Sequence, residues 1–242
     1  GRRFEQACAS FEAAVKLRPD FKAARLSLSN SLIMLGRFED AQRHAQLVIN
    51  KMPDCYEARV ALSLSLKGAG KIEEAIEALQ TAVQLRPEAA QAHNDLALLL
   101  VNLGRYVQAE DSYRLAIAAD PNLAIAHSNL GLLLILQERF EEAAACCRMA
   151  TELAPDLVAG FINLGMALAR LWKLDEAERA LRVALELQPQ SATVLNNLGN
   201  LLKDSGRRDE ATLVFRRAIE LEPAHKKSRD NLLFTLNYDP TL

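Results

Sequence analysis

The sequence predicts an all-α solenoid of antiparallel helix pairs that repeat every 34 residues. Three features predict it: evenly spaced prolines, columns of small residues and columns of leucine. Seven of the 8 prolines in the 242-residue chain follow one another at intervals of 34 residues, at Pro19, Pro53, Pro87, Pro121, Pro155, Pro189 and Pro223. Proline makes up about 5% of an average protein, so chance does not produce this spacing. A fixed period of this length indicates a tandem array of repeats.

Columns of small and leucine residues keep the same period. Alanine stands twelve residues before each of these prolines, at Ala7, Ala41, Ala75, Ala109, Ala143, Ala177 and Ala211. A small residue stands five before each, at Ala14, Val48, Ala82, Ala116, Ala150, Ala184 and Ala218. Leucine columns begin at Leu28 and, four residues later, at Leu32. Residues four apart share one face of a helix, so leucine forms a buried face and small residues let two helices approach.

Each repeat is predicted to be a first helix, a tight turn and a second helix. In residues 90–121 the helical spacing of apolar residues breaks at Gly104 and resumes from Tyr106 to Ala119. Glycine adopts the left-handed conformation that ends a helix, and the closing proline cannot continue a helix because it lacks an amide hydrogen. Glu138 and Trp172 replace the turn glycine in two repeats. Their presence predicts either that the backbone of these two turns is reshaped or that the two side chains serve as contacts.

The period also predicts the domain organisation. We expect one array over residues 1–242, without linkers, because no helix pair can bury both of its helices unless it stacks on its neighbours. Residues 1–21 form a trailing half repeat, and residues 226–242 form a terminal helix and tail. The full repeats are residues 22–55, 56–89, 90–123, 124–157, 158–191 and 192–225.

The composition of the chain limits the classes of partner that it is expected to bind. Hydrophobic residues make up 50% of the chain and charged residues 25%, which is typical of a folded protein. The net charge of −2 lacks the basic excess of a nucleic-acid-binding protein. The longest apolar runs fall far short of the roughly 20 residues that a membrane span needs, so we expect neither nucleic acid nor membrane as partner. The cysteines form neither a metal-binding pair nor an even disulfide framework, which predicts a reducing, cytoplasmic location.

Three groups of residues resemble catalytic or ligand-binding motifs, and each is better explained as part of the repeat. Residues 68–71, Gly-Ala-Gly-Lys, lack the first glycine and the Ser or Thr of a phosphate-binding loop and align with the repeat turns. His93 and His127 lack a third metal ligand. Cys146 and Cys147 have no base nearby in sequence. We therefore predict no catalytic residue, no metal site and no cofactor.

The 34-residue pattern is similar to that of the tetratricopeptide repeat family. The residues that carry the resemblance, besides the closing prolines, are the pairs Leu130-Gly131, Leu164-Gly165 and Leu198-Gly199 and the aromatic residues Phe11, Tyr113 and Phe215. The resemblance covers nearly the whole chain. It implies a right-handed superhelical solenoid whose first helices line a concave groove, and it implies protein or peptide ligands.

A polar column occupies the first helices. Its members precede the first leucine column by one residue and are Asp95, Asn129, Asn163, Asn197 and Asn231, after Ser27 and Ala61 in the earlier repeats. Side-chain amides both donate and accept hydrogen bonds, so on a concave surface they would hold the backbone of an extended peptide. The alternative is that they bond a neighbouring helix and serve packing. The sequence leaves both interpretations open.

Residues 231–242 resemble the junction at which the repeat array of bacterial O-GlcNAc-transferase-like proteins of the SPINDLY type passes into the glycosyltransferase region. The resemblance implies that the array presents protein substrates to a transferase that this chain does not contain. We therefore predict a peptide-binding scaffold without enzymatic activity, the substrate-recognition arm of a protein O-glycosyltransferase. The alternative is a structural module that forms homo-oligomers or docks a partner through its outer face.

Overall fold

Helices of 13 residues, here called first helices, alternate with helices of 14 residues, here called second helices, from residue 22 to residue 221. A computed structural model describes residues 2–237, and within them the chain has fourteen helices and no strand. The helices are α1 (Arg2–Leu17), α2 (Lys22–Met34), α3 (Phe38–Lys51), α4 (Tyr56–Gly68), α5 (Ile72–Leu85), α6 (Ala90–Asn102), α7 (Tyr106–Ala119), α8 (Ala124–Leu136), α9 (Phe140–Leu153), α10 (Val158–Arg170), α11 (Leu174–Leu187), α12 (Ala192–Asp204), α13 (Arg208–Leu221) and α14 (Lys226–Asn237). The all-α prediction is confirmed.

The chain packs as two compact units, unit 1 ending at Pro121 and unit 2 beginning at Asn122. Within each unit a second helix packs against its own first helix and against the next one, as α3 does with α2 and α4 and α11 with α10 and α12. In unit 2 the consecutive first helices α8, α10, α12 and α14 also contact one another. The first helices therefore form the more closely packed side of unit 2. The predicted division into six full repeats remains a prediction.

The alanine column forms the crossing between the two helices of a repeat. Ala41, Ala75, Ala109, Ala143, Ala177 and Ala211 are all fully buried. The second leucine column is buried from Leu32 to Leu202, whereas Leu236 in α14 is 50% exposed. The difference has a simple cause, because no second helix follows α14 in the described residues. The leucine face of a first helix is thus buried only when its second helix is present.

The Leu-Gly pairs mark a close approach of the two helices. A methyl group added at Gly131, Gly165 or Gly199 would overlap the side chain of Cys147, Leu181 or Phe215, respectively. In unit 1 the same position holds Ser29, Ser63 and Ala97, and Ser29 Oγ donates a hydrogen bond of 3.0 Å to the carbonyl of Ala41 on the second helix. Small residues are required here because one helix packs its side chain directly against the backbone of the other.

The turns at Glu138 and Trp172 keep the glycine conformation. The turn glycines have φ angles between 70° and 79°, and Glu138 and Trp172 have φ angles of 61° and 58°. The closing hydrogen bond is also the same: the amide of Lys173 donates to the carbonyl of Leu168 at 3.0 Å, as Arg37 does to Leu32 at 2.9 Å. These two turns are therefore not reshaped. A left-handed conformation costs a non-glycine residue roughly 1–2 kcal/mol.

We expect Trp172→Gly and Glu138→Gly each to raise the free energy of unfolding by about 0.5–1 kcal/mol, the relief of backbone strain minus the larger unfolded-state entropy of glycine. Urea unfolding followed by circular dichroism measures this change. Trp172→Ala and Glu138→Ala are the matched controls, because they shorten the side chain and retain the strain. Glycine variants no more stable than their alanine controls would contradict the assignment of strain.

Candidate functional site

The polar column of unit 2 lies where consecutive first helices meet. Asn129, Asn163, Asn197 and Asn231 stand at equivalent positions of α8, α10, α12 and α14. Asn163 is buried, and the other three are half-buried. Because these helices contact one another in turn, the four side chains follow the line of contacts between first helices. We call the surface along this line the first-helix face of unit 2.

Two of these asparagines bond the preceding first helix. Asn163 Nδ2 donates hydrogen bonds of 3.1 Å to both the carbonyl and the hydroxyl oxygen of Ser128 in α8. Asn231 Nδ2 donates at 3.0 Å to Oδ1 of Asn196 in α12, which also accepts from the hydroxyl of Ser228 at 3.3 Å. In both cases the partner stands 35 residues earlier in the chain. These two amides therefore contribute to packing between repeats.

Asn197 differs because the residue 35 positions before it is Ile162. Isoleucine offers no polar side-chain atom, and within residues 2–237 the side-chain amide of Asn197 has no hydrogen-bond partner. Its half-buried position nevertheless places the amide on the first-helix face. Asn197 is thus a polar group that is fixed on a helix and available to a ligand, whereas Asn163 at the equivalent position is engaged.

The acidic member of the column, Asp95, belongs to unit 1 and bonds within its own helix. Its Oδ1 accepts hydrogen bonds from Gln91 Nε2 at 2.8 Å and from Asn94 Nδ2 at 3.3 Å. Burial raises the pKa of Tyr113 in the adjacent helix, and the negative charge of Asp95 raises it further. The tyrosine hydroxyl therefore stays protonated and contributes a buried neutral group to the core of unit 1.

A second row of residues, which the sequence analysis did not identify, follows the asparagines three positions later. It comprises Leu132, Met166, Asn200 and Phe234. Residues three apart lie on neighbouring parts of one helix face, so this row accompanies the amides. Leu132 is 38% exposed and Phe234 is 57% exposed. The exposure of Leu132 could not be predicted from the sequence, because this residue stands in a run of leucines that otherwise form the core.

Two cations in the last turns of first helices, Arg170 in α10 and Lys203 in α12, lie over aromatic rings. The ammonium nitrogen of Lys203 lies 5.3 Å from the centre of the Phe234 ring and 3.5 Å from Asp204 Oδ1. The guanidinium of Arg170 lies 4.6 Å from the centre of the Phe140 ring. Cation–π contacts of this kind contribute roughly 0.5–1 kcal/mol at exposed sites. These contacts hold Arg170, the last residue of α10, against the first residue of α9, and the ring of Phe234 in α14 against Lys203 of α12.

The remaining motif candidates are structural. Cys147 is fully buried, and burial raises its pKa to about 12, so it remains a neutral thiol. His93 Nε2 donates to the carbonyl of Pro87 at 2.9 Å, which ties α6 to the proline that closes the preceding repeat. Gly70 and Lys71 form the turn after α4, in which the Lys71 amide donates to Leu66 at 2.9 Å. Among residues 2–237 no group of three or more His, Cys, Asp or Glu side chains is placed to hold a metal ion.

No helix in the described part of the chain combines the length and the apolar character that crossing a membrane requires.

We expect Asn163→Ala to lower the free energy of unfolding by about 1–3 kcal/mol, because it removes the donor to two buried oxygen atoms of Ser128. Asn197→Ala at the equivalent position should change it by no more than about 0.5 kcal/mol. Urea unfolding of the two variants compares them directly. Equal losses of stability would contradict the assignment of different roles to the two asparagines.

Sequence profiles of the tetratricopeptide repeat family match residues 2–64, 60–124, 124–157, 161–188 and 192–225. Together these segments include nearly the whole chain. No match was found among curated protein sequences.

Several solved structures share the fold. A chain of the APC/C hetero-tetramer Cut9–Hcn1 has a TM-score of 0.81 and 18% identity over 96% of this chain and 46% of its own length, so the present chain spans less than half of that relative. PilF of Pseudomonas aeruginosa has a TM-score of 0.75 and 18% identity, covering 86% of this chain and 95% of PilF. YrrB, described as a TPR protein with an unusual peptide-binding site, has a TM-score of 0.62 and 22% identity over 77% of this chain and 96% of YrrB.

Proposed function

The chain belongs to the tetratricopeptide repeat family, and from this premise we propose that it is a scaffold that binds an extended peptide segment on the first-helix face of unit 2. The observation that carries the proposal is the amide of Asn197, which is fixed on α12 and has no partner among residues 2–237. The same row of first helices carries exposed apolar side chains, Phe234 on the adjacent helix α14 and Leu132 on α8, two first helices away. Amides of this kind hydrogen-bond a peptide backbone, and apolar side chains contact those of the peptide.

The expected affinity is low. A hydrogen bond contributes roughly 0.5–1.5 kcal/mol net, while association costs an estimated 4 kcal/mol or more. Because few amides on this face lack a partner within the protein, we expect micromolar or weaker binding. Where the chain recognises the peptide backbone, binding should show little preference for the sequence of the peptide. The apolar side chains of Leu132 and Phe234 would supply the remaining contact area and a preference for peptides with apolar residues.

The test is binding of an array of short peptides, followed by titration of the strongest binders. The variant Asn197→Ala should weaken binding about threefold to tenfold, because it removes a hydrogen bond to the ligand. Asn102→Ala is the matched control, since Asn102 is exposed at the end of α6 in unit 1. Circular dichroism confirms that each variant folds. Equal peptide affinity of Asn197→Ala and the control would overturn the proposal.

A narrower form of the proposal makes the chain the substrate-recognition arm of a protein O-glycosyltransferase, in a bacterial cytoplasm. It rests on the resemblance of residues 231–242 to the SPINDLY-type junction, and residues 238–242, including Pro240, lie outside the described residues. This form proposes that the column residues contact the substrate; they are Asp95, Asn129, Asn163, Asn197 and Asn231. Asn163 and Asn231 would do so while their amides also bond the preceding first helix. The sequence that follows Leu242 in the natural protein decides this form: a nucleotide-sugar-binding transferase region supports it, and any other continuation overturns it.

The alternative function is assembly through the turns and second helices. Trp172 favours it, because this side chain is 74% exposed at a turn where glycine would avoid backbone strain. Leu213 on α13 is 66% exposed. If unit 2 associates through these side chains, the mass measured by sedimentation should rise with concentration, and Trp172→Ala/Leu213→Ala should restore the monomer mass. A constant monomer mass at all concentrations would exclude homo-oligomer formation.

A further inference from the structure

Helix α14 carries a large residue at a position where the earlier first helices carry a small one. That position is glycine in α8, α10 and α12 and serine or alanine in α2, α4 and α6, whereas in α14 it is Leu233. The side chain of Leu233 is 59% exposed, because no second helix covers α14 among the described residues. Leucine thus stands here under a condition that the earlier first helices do not meet.

In the other repeats this position points at the backbone of the second helix. A methyl group added at Gly165 would lie 3.3 Å from the carbonyl oxygen of Ala177 and 2.6 Å from the side chain of Leu181. In α4 the hydroxyl of Ser63 donates a hydrogen bond of 2.9 Å to the equivalent carbonyl, that of Ala75. A leucine side chain continues beyond its Cβ with apolar carbon atoms, so it would overlap the second helix or push it away. A second helix therefore cannot pack on α14 as closely as on the other first helices.

Helix α1 presents the kind of surface that a first helix covers. It stands at the position of a second helix, and no first helix precedes it among the described residues. Ala7, its member of the alanine column, and Phe11 are half-buried, whereas Ala211 and Phe215, their counterparts in α13, are fully buried. In two copies of the chain, α14 of one copy and α1 of the other thus supply the two helices of one repeat.

Such a pair of surfaces favours head-to-tail association of copies. A contact between two different surfaces of identical chains can be repeated without limit when it does not close into a ring. Terminal repeats of solenoids usually depend on a polar outer face for solubility. The uncovered helix α14 instead exposes Leu233, Phe234 and Leu236. Polarity therefore does not protect this helix from a second copy, and its shape has to do so.

We propose that Leu233 is a steric block that prevents α1 of a second copy from packing on α14. In that pairing Leu233 would meet Phe11 and the backbone carbonyl of Ala7, the counterparts of Leu181 and Ala177. The block acts through shape at the helix crossing and leaves the apolar side chains of α14 uncovered. It is independent of peptide binding on the first-helix face of unit 2.

The test is sedimentation equilibrium of the unmodified chain and of two single variants. Leu233→Ala reproduces the combination of Ala97 and Tyr113 at these positions of α6 and α7, so its average mass should rise about twofold or more with concentration. Leu236→Ala is the matched control, because it also shortens an exposed leucine of α14 but retains the block, and it should behave as the unmodified chain. Circular dichroism confirms that each variant folds. If Leu233→Ala associates no more strongly than the unmodified chain or the control, the proposal is overturned.

A further variant identifies the surface that the opened helix α14 binds. Ala7→Leu places a large residue in the alanine column of α1, so Leu233→Ala/Ala7→Leu should return to the mass of the unmodified chain. Association through Trp172 and Leu213 would be the same in all of these proteins, so it does not affect the comparison. Equal association of Leu233→Ala and the double variant would show that α1 is not the surface that Leu233 excludes, which contradicts the proposal.

Discussion

The close approach between the first and second helix of each repeat is the constraint on which the rest of the structure depends. At this crossing a buried alanine of the second helix faces the first helix, and glycine, serine or alanine in the first helix leaves room for a side chain of the second. Leu181 and Phe215 pack directly over glycine backbone, so a large residue opposite them would separate the helices. Separation would in turn expose the leucine columns, which are buried only between paired helices. Stability therefore depends on residues that themselves bury little apolar area.

Much of this architecture could be predicted from the sequence, because the same packing problem is solved once in every repeat. The columns of proline, alanine and leucine give the helix boundaries closely: the second run predicted from Tyr106 to Ala119 is α7. The backbone of the turns at Glu138 and Trp172 could not be predicted. A non-glycine residue at such a position is compatible with a changed turn or with a strained one, and the closing hydrogen bonds decide between them.

The polar column shows where sequence position alone is insufficient. Asn163 and Asn197 stand at equivalent positions, yet one amide is bonded to its neighbour and the other is not. The difference arises from the partner position in the preceding repeat, which holds Ser128 in one case and Ile162 in the other. This information was present in the sequence, but its use requires knowing which residues of consecutive first helices face each other. The exposure of Leu132 likewise depends on neighbours that a single repeat does not contain.

Because the partner of each column residue lies in the preceding repeat, the order of repeats is itself a source of variation. Suppose that a second copy of residues 192–225 were inserted directly after the first. The copy of Asn197 would then stand 35 residues after Asn196, whereas the original Asn197 stands 35 residues after Ile162. The copied amide would then have a bonding partner, although no residue had been substituted. Duplication or loss of whole repeats during evolution can therefore change the role of an amide from ligand contact to internal packing, or the reverse. Two related proteins built from the same repeats in a different order can thus present different binding surfaces.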